Sequence, residues 1–412
     1  MAWLAACLIC THLVAQDSSQ QGSPQTLSLQ SAQRRFAERN PRVEALRQGI
    51  ESARGLAVQA AKPPNPTLHY SQEGLPLGRD GIGFDDQEFL LWASQPFELG
   101  GKRGRRREAA DSQVRVLELQ LEDFLRRGRA QVARAYLGVL HQQQQRDLIG
   151  RLLQQYRQLR RSHQLRLAEG DVSGLSHLKV EAEELRYTSL LARADTELAE
   201  AWRELSAWTD WPGAIPPRLQ APQLLGEPRQ AMEALRRRAL AQRSDLRALQ
   251  ARVEEEQARL ALRRAEKIPD LTVGGGFKRD FGQNSFYVGI NVPLPLFDRN
   301  QGAVASALAQ VESARNELRW RQILAGKQVE EAWKRFNLQR GQAQRLQGTV
   351  IDRLETIVDV TSQSYNEGES SLLELLDAMR VQLEASLNFQ TLLLQARLSR
   401  VDLEEAVGGT ID

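Results

Sequence analysis

Apolar residues recur at every third or fourth position along most of the chain, and this spacing predicts long amphipathic helices. Residues 97–211 and 296–412 contain no proline, so each stretch can carry one long helix and a second that returns beside it. A glycine, Gly170 or Gly368, marks the turn in each stretch. The predicted helices cover 27–61 with a break at Asn40-Pro41, 102–167, 175–208, 301–365 and 372–407, the last four forming two antiparallel hairpins.

Two shorter regions, 65–97 and 268–293, are predicted to form two strands each. Apolar and polar positions alternate most clearly in 270–281 and 285–292, segments of about ten residues joined by a tight loop at Gly282, as in tilted membrane strands. The side chains expected to face lipid are Leu271, Val273, Phe277, Phe286, Val288 and Ile290. A half-buried sheet in a soluble domain would show the same alternation. Because a closed barrel needs about eight strands and open edges cannot face lipid, four strands per chain require an oligomer.

The order of predicted elements occurs twice, which indicates an internal duplication. The segment 131–136 matches 328–333 at a shift of 197 residues, and the turn at 168–173 matches 366–371 at a shift of 198. Five of the 15 prolines lie in the segment between the halves, which is therefore an irregular connector. We predict repeat one at about 27–208, the connector at 209–228 and repeat two at about 229–408.

The N-terminal segment resembles an export signal. A short apolar run ends at Ala15 and a polar segment follows, so we predict a signal peptide at 1–15 and a mature region at 16–412. The Leu4-Ala5-Ala6-Cys7 sequence leaves a second interpretation open, in which Cys7 carries a lipid. A chain cleaved after Ala15 would lack both cysteines, Cys7 and Cys10.

Composition narrows the classes of function. A net charge of +3 gives no field that favours nucleic acid as a partner, and no apolar run of 18 residues exists for a helical membrane span. The five histidines are scattered without ligand spacing, so neither a metal site nor a cofactor is expected. No Walker loop, HExxH or GxSxG motif occurs, so we expect no enzyme.

Four segments together resemble the TolC-like outer-membrane efflux proteins, nearest to the branch that serves heavy-metal cation exporters. They are QPFELGGKR (95–103), PDLTVGGGF (269–277), PLPLFDRNQG (293–302) and SYNEGESSLLELLDAMR (364–380). The resemblance implies a homotrimer whose 12-stranded barrel lies in the outer membrane of a Gram-negative bacterium and continues into a periplasmic tunnel of long helices. It also implies a periplasmic adaptor and an inner-membrane resistance-nodulation-division pump as partners.

The function implied is export of metal cations or small toxic compounds, with substrate selection at the pump. Two alternatives stay open at this point. One is a structural periplasmic coiled-coil protein without channel activity, and the other is the outer-membrane channel of a type I protein-secretion system.

The resemblance also implies roles for two groups of residues near the helical turns. Glu374 and Asp377 match the acidic residues that ring the closed end of the tunnel, although a solvated acidic helix face would look the same. The predicted contacts to the adaptor are Gly170, Asp171, Val172 and Ser173 at one turn, and Gly368, Glu369, Ser370 and Ser371 at the other. Helix capping alone would explain the same residues. We interpret the basic cluster at 102–107 as a collar near lipid headgroups, with a salt-bridged helix face as the alternative.

Overall fold

The structure is a computed structural model that describes residues 26–73, 88–223, 226–227, 230–280, 282–347 and 351–411. The predicted signal peptide at 1–15 and the candidate lipidation site Cys7 lie outside the described residues. The helices are α1 (Leu29–Arg39), α2 (Pro41–Ala60), α3 (Lys102–Glu169), α4 (Gly174–Thr209), α5 (Met232–Gln242), α6 (Ser244–Ala265), α7 (Gln301–Gln347), α8 (Ile351–Glu367) and α9 (Leu372–Val407). The strands are β1 (Thr67–Glu73), β2 (Glu88–Phe97), β3 (Leu271–Asp280) and β4 (Gln283–Asn291).

Local signals set the predicted helix ends. Asn40 ends α1 and its side chain accepts a hydrogen bond from the Arg42 N–H, while Pro41 occupies the first turn of α2. The predicted break at Asn40-Pro41 is therefore confirmed. The long helix α3 runs without interruption for 68 residues, roughly 100 Å at about 1.5 Å per residue. The predicted helix at 301–365 is described as α7 and α8, with 348–350 between them outside the described part.

Five apolar cores hold the described helices together, and three of them are large. The first joins α1, α3 and α4 around Phe36, Tyr136 and Trp202, each at most 2% exposed. The second joins the hairpin α3–α4 to α8 and α9 near the turns, and the third joins α5, α7 and α9. The first and third cores have corresponding members, since Val132 and Val329 are both fully buried at a spacing of 197 residues. This agreement supports the internal duplication, which stays a prediction.

The connector folds back onto the N-terminal segment. Leu27 pairs with Leu219 in a parallel bridge, and the Tyr136 hydroxyl lies 2.6 and 2.7 Å from the carbonyl oxygens of Leu27 and Gln220. Burial raises the pKa of Tyr136 to about 12, so this hydroxyl keeps its proton at neutral pH. Residues 210–223 are irregular, as the proline content predicts.

The four strands form one antiparallel sheet in the order β1-β2-β3-β4, so the two halves of the chain meet at β2 and β3. Asp280 pairs with Gln283 across the loop between β3 and β4, where Gly282 has φ 78°. Strands β1 and β4 each have one neighbour in the sheet and are its edges. Within the described part of the chain, every helix is too short or too polar to cross a lipid bilayer.

Candidate functional site

The strand register sorts the side chains of the sheet into two unlike faces. Residues paired directly across antiparallel strands point to the same side, and Leu91, Phe277 and Phe286 are paired in this way. One face, here called the apolar face, carries Leu68, Tyr70, Phe89, Leu91, Ala93, Phe97, Leu271, Val273, Phe277, Phe286, Val288 and Ile290, with the polar Gln72, Arg279 and Asn284 in the row near the β3–β4 loop and Gln95 nearer the helices. All six side chains expected to face lipid lie on it.

The apolar face is uncovered in the single chain. Phe286 is 90% exposed, Val288 77% and Ile290 70%. A row of four rings crosses the strands, with centroids 5.4 Å apart for Tyr70 and Phe89, and 6.4 Å apart for Phe277 and Phe286. Such a contiguous apolar surface marks a site that another apolar phase or molecule covers. Whether that phase is lipid remains a proposal, taken up below.

The opposite face, here called the polar face, carries Thr67, His69, Ser71, Glu73, Glu88, Leu90, Trp92, Ser94, Thr272, Lys278, Asp280, Ser285, Tyr287 and Asn291. Lys278 lies 3.0 Å from Asp280 and 3.6 Å from Glu88. The two faces thus differ in the way that a wall between an apolar and an aqueous phase requires.

The basic cluster at 102–107 proves to be only partly available to other molecules. Lys102 is 9% exposed, and its Nζ lies 2.6 Å from Asp270 Oδ1 just before β3. Arg106 pairs with Glu98 at 2.5 Å and donates to the carbonyl oxygen of Ala60. These two cations join the ends of β2, β3, α2 and α3. Lys102 and Arg106 therefore agree with the salt-bridged alternative, because their charges are paired within the chain, and the headgroup collar stays a prediction for the cluster.

The two helical turns have the same construction. Gly170 and Gly368 adopt left-handed backbone angles (φ 84° and 80°) that end α3 and α8. Three residues later, Ser173 and Ser371 begin α4 and α9, each accepting a hydrogen bond at its side chain from the third residue of the helix. Gly170, Ser173, Gly368 and Ser371 of the predicted contact groups therefore have a capping role, and Asp171 and Glu369 are exposed between them.

The two acidic residues near the second turn have different surroundings. Glu374 Oε2 accepts a hydrogen bond of 2.7 Å from the Ser371 N–H and so completes the capping box of α9. Asp377 accepts one of 2.6 Å from Arg380, which also lies 3.8 Å from Glu384. Both acids lie on an exposed helix face, where Arg380 partly offsets their charge. The sequence prediction omitted Arg380, although its spacing of three from Asp377 could have indicated the pair.

A buried polar contact ties α3 to α8 close to the turns. His163 is 1% exposed, its Nε2 lies 2.6 Å from the Tyr365 hydroxyl, and the two ring planes are nearly parallel, at 2°, with centroids 5.8 Å apart. Burial lowers the pKa of His163, and the nearby Arg166 and His177 lower it further. Burial also raises the pKa of Tyr365. No local pattern in the sequence indicates this contact, because the two residues are 202 positions apart.

These features define a protein of long helical hairpins with one two-faced antiparallel sheet, and comparison with known proteins identifies its family. The chain belongs to the outer membrane efflux protein family, whose model matches residues 27–209 and 235–409. It is a protein of the outer membrane. The resemblance to TolC-like outer-membrane efflux proteins, inferred from four sequence segments, is thereby confirmed.

Two curated relatives come from Cupriavidus metallidurans. The cobalt-zinc-cadmium resistance protein CzcC is 27% identical over 385 residues, which cover 93% of this chain and 90% of that protein. The nickel and cobalt resistance protein CnrC is 27% identical over 287 residues, which cover 68% of this chain and 66% of that protein.

Solved structures share the fold at low sequence identity. A membrane protein from Pseudomonas aeruginosa superposes with a TM-score of 0.74 at 20% identity, covering 93% of this chain and 90% of the other. The channel CusC gives 0.74 at 18% identity, with 92% of both chains covered. The open state of the Neisseria gonorrhoeae outer membrane channel MtrE gives 0.74 at 18% identity, covering 93% and 89%.

Within the part of the chain that the structure describes, no group of three or more His, Cys, Asp or Glu side chains is arranged to hold a metal ion.

Proposed function

We propose that three copies of this chain form an efflux channel with a 12-stranded barrel in the outer membrane and a continuous helical tunnel in the periplasm. The channel works with a periplasmic adaptor and an inner-membrane resistance-nodulation-division pump. It exports metal cations or small toxic compounds without making or breaking covalent bonds.

The sheet is the observation that carries this proposal. Its apolar face can contact lipid acyl chains while its polar face lines water, but β1 and β4 leave unpaired backbone N–H and C=O groups at two edges. Each such group would cost several kcal/mol in hydrocarbon, since no water is present to bond it. Pairing β1 of one copy with β4 of the next satisfies both edges, and three copies give 12 strands.

Exposed apolar side chains on the helices fit the same arrangement. Trp320, Ile323 and Leu338 on α7 are 54%, 53% and 60% exposed, and Leu185 on α4 is 65% exposed. A helix that lay free in water would expose few large apolar groups in one chain segment. Contact between α7 and α8 of one copy and α4 of its neighbour would cover these groups and close the tunnel wall, with Leu185 at the level of α8, because Tyr187 and Val358 belong to one core.

Metal cations as the substrate are the most specific part of the proposal, and this part is inferred from the relatives. CzcC and CnrC are resistance proteins for cobalt, zinc and cadmium and for nickel and cobalt. Glu374 and Asp377 support it, because three copies would bring six carboxylates together near the turns and favour cations over anions. The turns themselves, from Gly170 to Ser173 and from Gly368 to Ser371, are the proposed contacts of the adaptor.

Cysteine crosslinking tests the assembly. Tyr70→Cys on β1 is combined in turn with Phe286→Cys, Val288→Cys or Ile290→Cys on β4, in a chain whose Cys10 is replaced by Ser. We expect one combination to give an oxidation-dependent trimer that survives detergent and heat. Crosslinks only within one chain, or none with the whole β4 series, would contradict barrel closure between copies. The Tyr70→Cys single variant is the control.

Resistance assays test the substrate. Deleting the gene should lower the inhibitory concentration of cobalt, zinc or cadmium, and restoring the chain should reverse this effect. A deletion strain that stays metal-resistant but becomes sensitive to organic compounds would rule out metal cations as the substrate. It would not contradict the proposed channel.

Single-channel recording tests the acidic residues. Asp377→Asn should weaken block by divalent cations and raise conductance, because it removes one carboxylate ring and frees Arg380. Glu384→Gln, about two turns further along α9, is the matched control and should change conductance less. Equal conductance and equal divalent-cation block in the wild type and both variants would contradict the proposed role of Asp377 in the gate.

A further inference from the structure

Three aromatic side chains lie together on the polar face of the sheet, where polar residues would suffice to contact water. The Trp92 ring centroid is 5.2 Å from that of His69 on β1 and 5.6 Å from that of Tyr287 on β4. Tyr287 is 47% exposed. The three residues lie on β1, β2 and β4 in one cross-strand row, and their rings are on the polar face.

The glycines of β3 make room for this trio. Trp92 is paired with Gly276, and a Cβ added at Gly276 would lie 2.4 Å from the Trp92 Cβ. A Cβ added at Gly274 would lie 2.3 Å from Cζ3 of the same indole. Both glycines are on the polar face, so the indole packs directly over bare backbone. The Gly274-Gly275-Gly276 segment is thus a seat for one large ring on that face.

A cleft of about 450 Å³ opens beside this seat, within the size range of small-ligand sites. Trp92, Tyr287 and Leu90 supply its apolar and aromatic lining, and Ser71 adds a hydroxyl. The charged groups that line it are Glu73, Glu88 and Lys278, and Asp280 lies 3.0 Å from Lys278. Three carboxylates against one ammonium leave a net charge of −2 among these four groups of the polar face, while Arg279 at the same end of the sheet is on the apolar face.

This combination selects a particular chemistry. An indole face attracts a cation best when the cation sheds water, which a strongly hydrated metal ion does with difficulty. An organic cation with an apolar body can instead stack on Trp92, contact Leu90 and remain within reach of the carboxylates. Carboxylates alone would be enough to bind a metal ion, so the aromatic rings favour an organic cation as the ligand.

We propose that the cleft beside Trp92 binds organic cations with an apolar body, such as quaternary phosphonium or ammonium compounds, during their passage through the channel. The inference rests on the proposed function, because the polar face contacts permeating molecules only if it lines the lumen. It extends the substrate range beyond metal cations and places a contact site at the end of the sheet remote from the helices.

The test is current block of the purified trimer in planar lipid bilayers, with tetraphenylphosphonium as the probe and Zn²⁺ for comparison. Trp92→Leu keeps apolar bulk but removes the ring. We expect it to raise the blocking concentration of tetraphenylphosphonium by about tenfold and to leave Zn²⁺ block unchanged. Tyr70→Leu, which removes a ring from the apolar face, is the matched control and should leave both unchanged.

Tyr287→Leu provides a second variant, because its exposed ring can be removed with less effect on the sheet. It should raise the blocking concentration severalfold even if Trp92→Leu fails to assemble. If both the wild type and Tyr287→Leu conduct and tetraphenylphosphonium blocks them at equal concentrations, the inference is overturned. Absence of conductance in the wild type would instead contradict the proposed channel.

Discussion

The contact between His163 and Tyr365 should control how easily the helical turns open. Tyr365→Phe removes the hydroxyl that lies 2.6 Å from His163 Nε2 and leaves the ring in place. His163 Nδ1 already has no hydrogen-bond partner among the described residues, so the variant leaves both nitrogens of a buried imidazole unpaired. An unsatisfied buried polar group costs about 1–3 kcal/mol. The equilibrium for separating α8 from α3 should therefore shift by roughly 5- to 150-fold toward the open state.

The same contact predicts a pH dependence with a defined sign. Burial lowers the pKa of His163 in the closed state below its ordinary value of about 6.5, with Arg166 and His177 contributing. Above that value the imidazole is neutral in both states and the closed state keeps its full stability. As the pH falls through it, the open state binds a proton first, so the closed state loses stability. Acid should open the turns of the wild type.

Hydrogen exchange of the segments around 163 and 365 measures this opening directly. At pH 7.5, Tyr365→Phe should exchange faster than the wild type, and the wild type should exchange faster at pH 5.5 than the change in intrinsic rate explains. His163→Phe should lose that excess. Tyr70→Phe, which removes an exposed hydroxyl on the sheet, should behave as the wild type. Unchanged exchange in Tyr365→Phe at both pH values would refute the reasoning.

Three further predictions concern packing and the strand–helix junction. Gly128→Ala should lower the free energy of unfolding by about 1–3 kcal/mol, because its Cβ would lie 2.1 Å from Phe36 Cζ. In thermal melts, adding Phe36→Leu should restore part of the lost stability. Gly274→Val should prevent recovery of heat-resistant trimer, since its Cβ would lie 2.3 Å from Cζ3 of Trp92; normal trimer yield would contradict the seat described for that ring. Asp270→Asn should cost about 1 kcal/mol by weakening the ion pair between α3 and β3, and an unchanged melting temperature would show that the pair contributes nothing.

Local features of the fold were predictable because they depend on nearby residues. The turns followed from Gly170 and Ser173, where a left-handed residue and an N-cap lie three positions apart. The strands of the second half followed from period-two alternation, and the register confirms that Leu271 and Phe286 share a face. The long helix α3 followed from the absence of proline.

Contacts between distant segments were not predictable from one sequence. The basic cluster looked like a free collar because Asp270, the partner of Lys102, lies 168 residues away. The hydrogen bond between His163 and Tyr365 likewise depends on how two hairpins pack. The trio around Trp92 was hidden for another reason: Gly274 to Gly276 carry no side chains, so their role emerges only when the neighbouring strand is placed beside them.

The two edges of the sheet have a consequence for genetics. In the proposed ring, β1 of each copy meets β4 of the next, so every chain is both a donor and an acceptor of strand pairing. A chain with a damaged edge can still join a neighbour through its intact edge and then leave the ring open. Such alleles should be dominant over the wild type when both are expressed, whereas alleles that prevent folding altogether should be recessive.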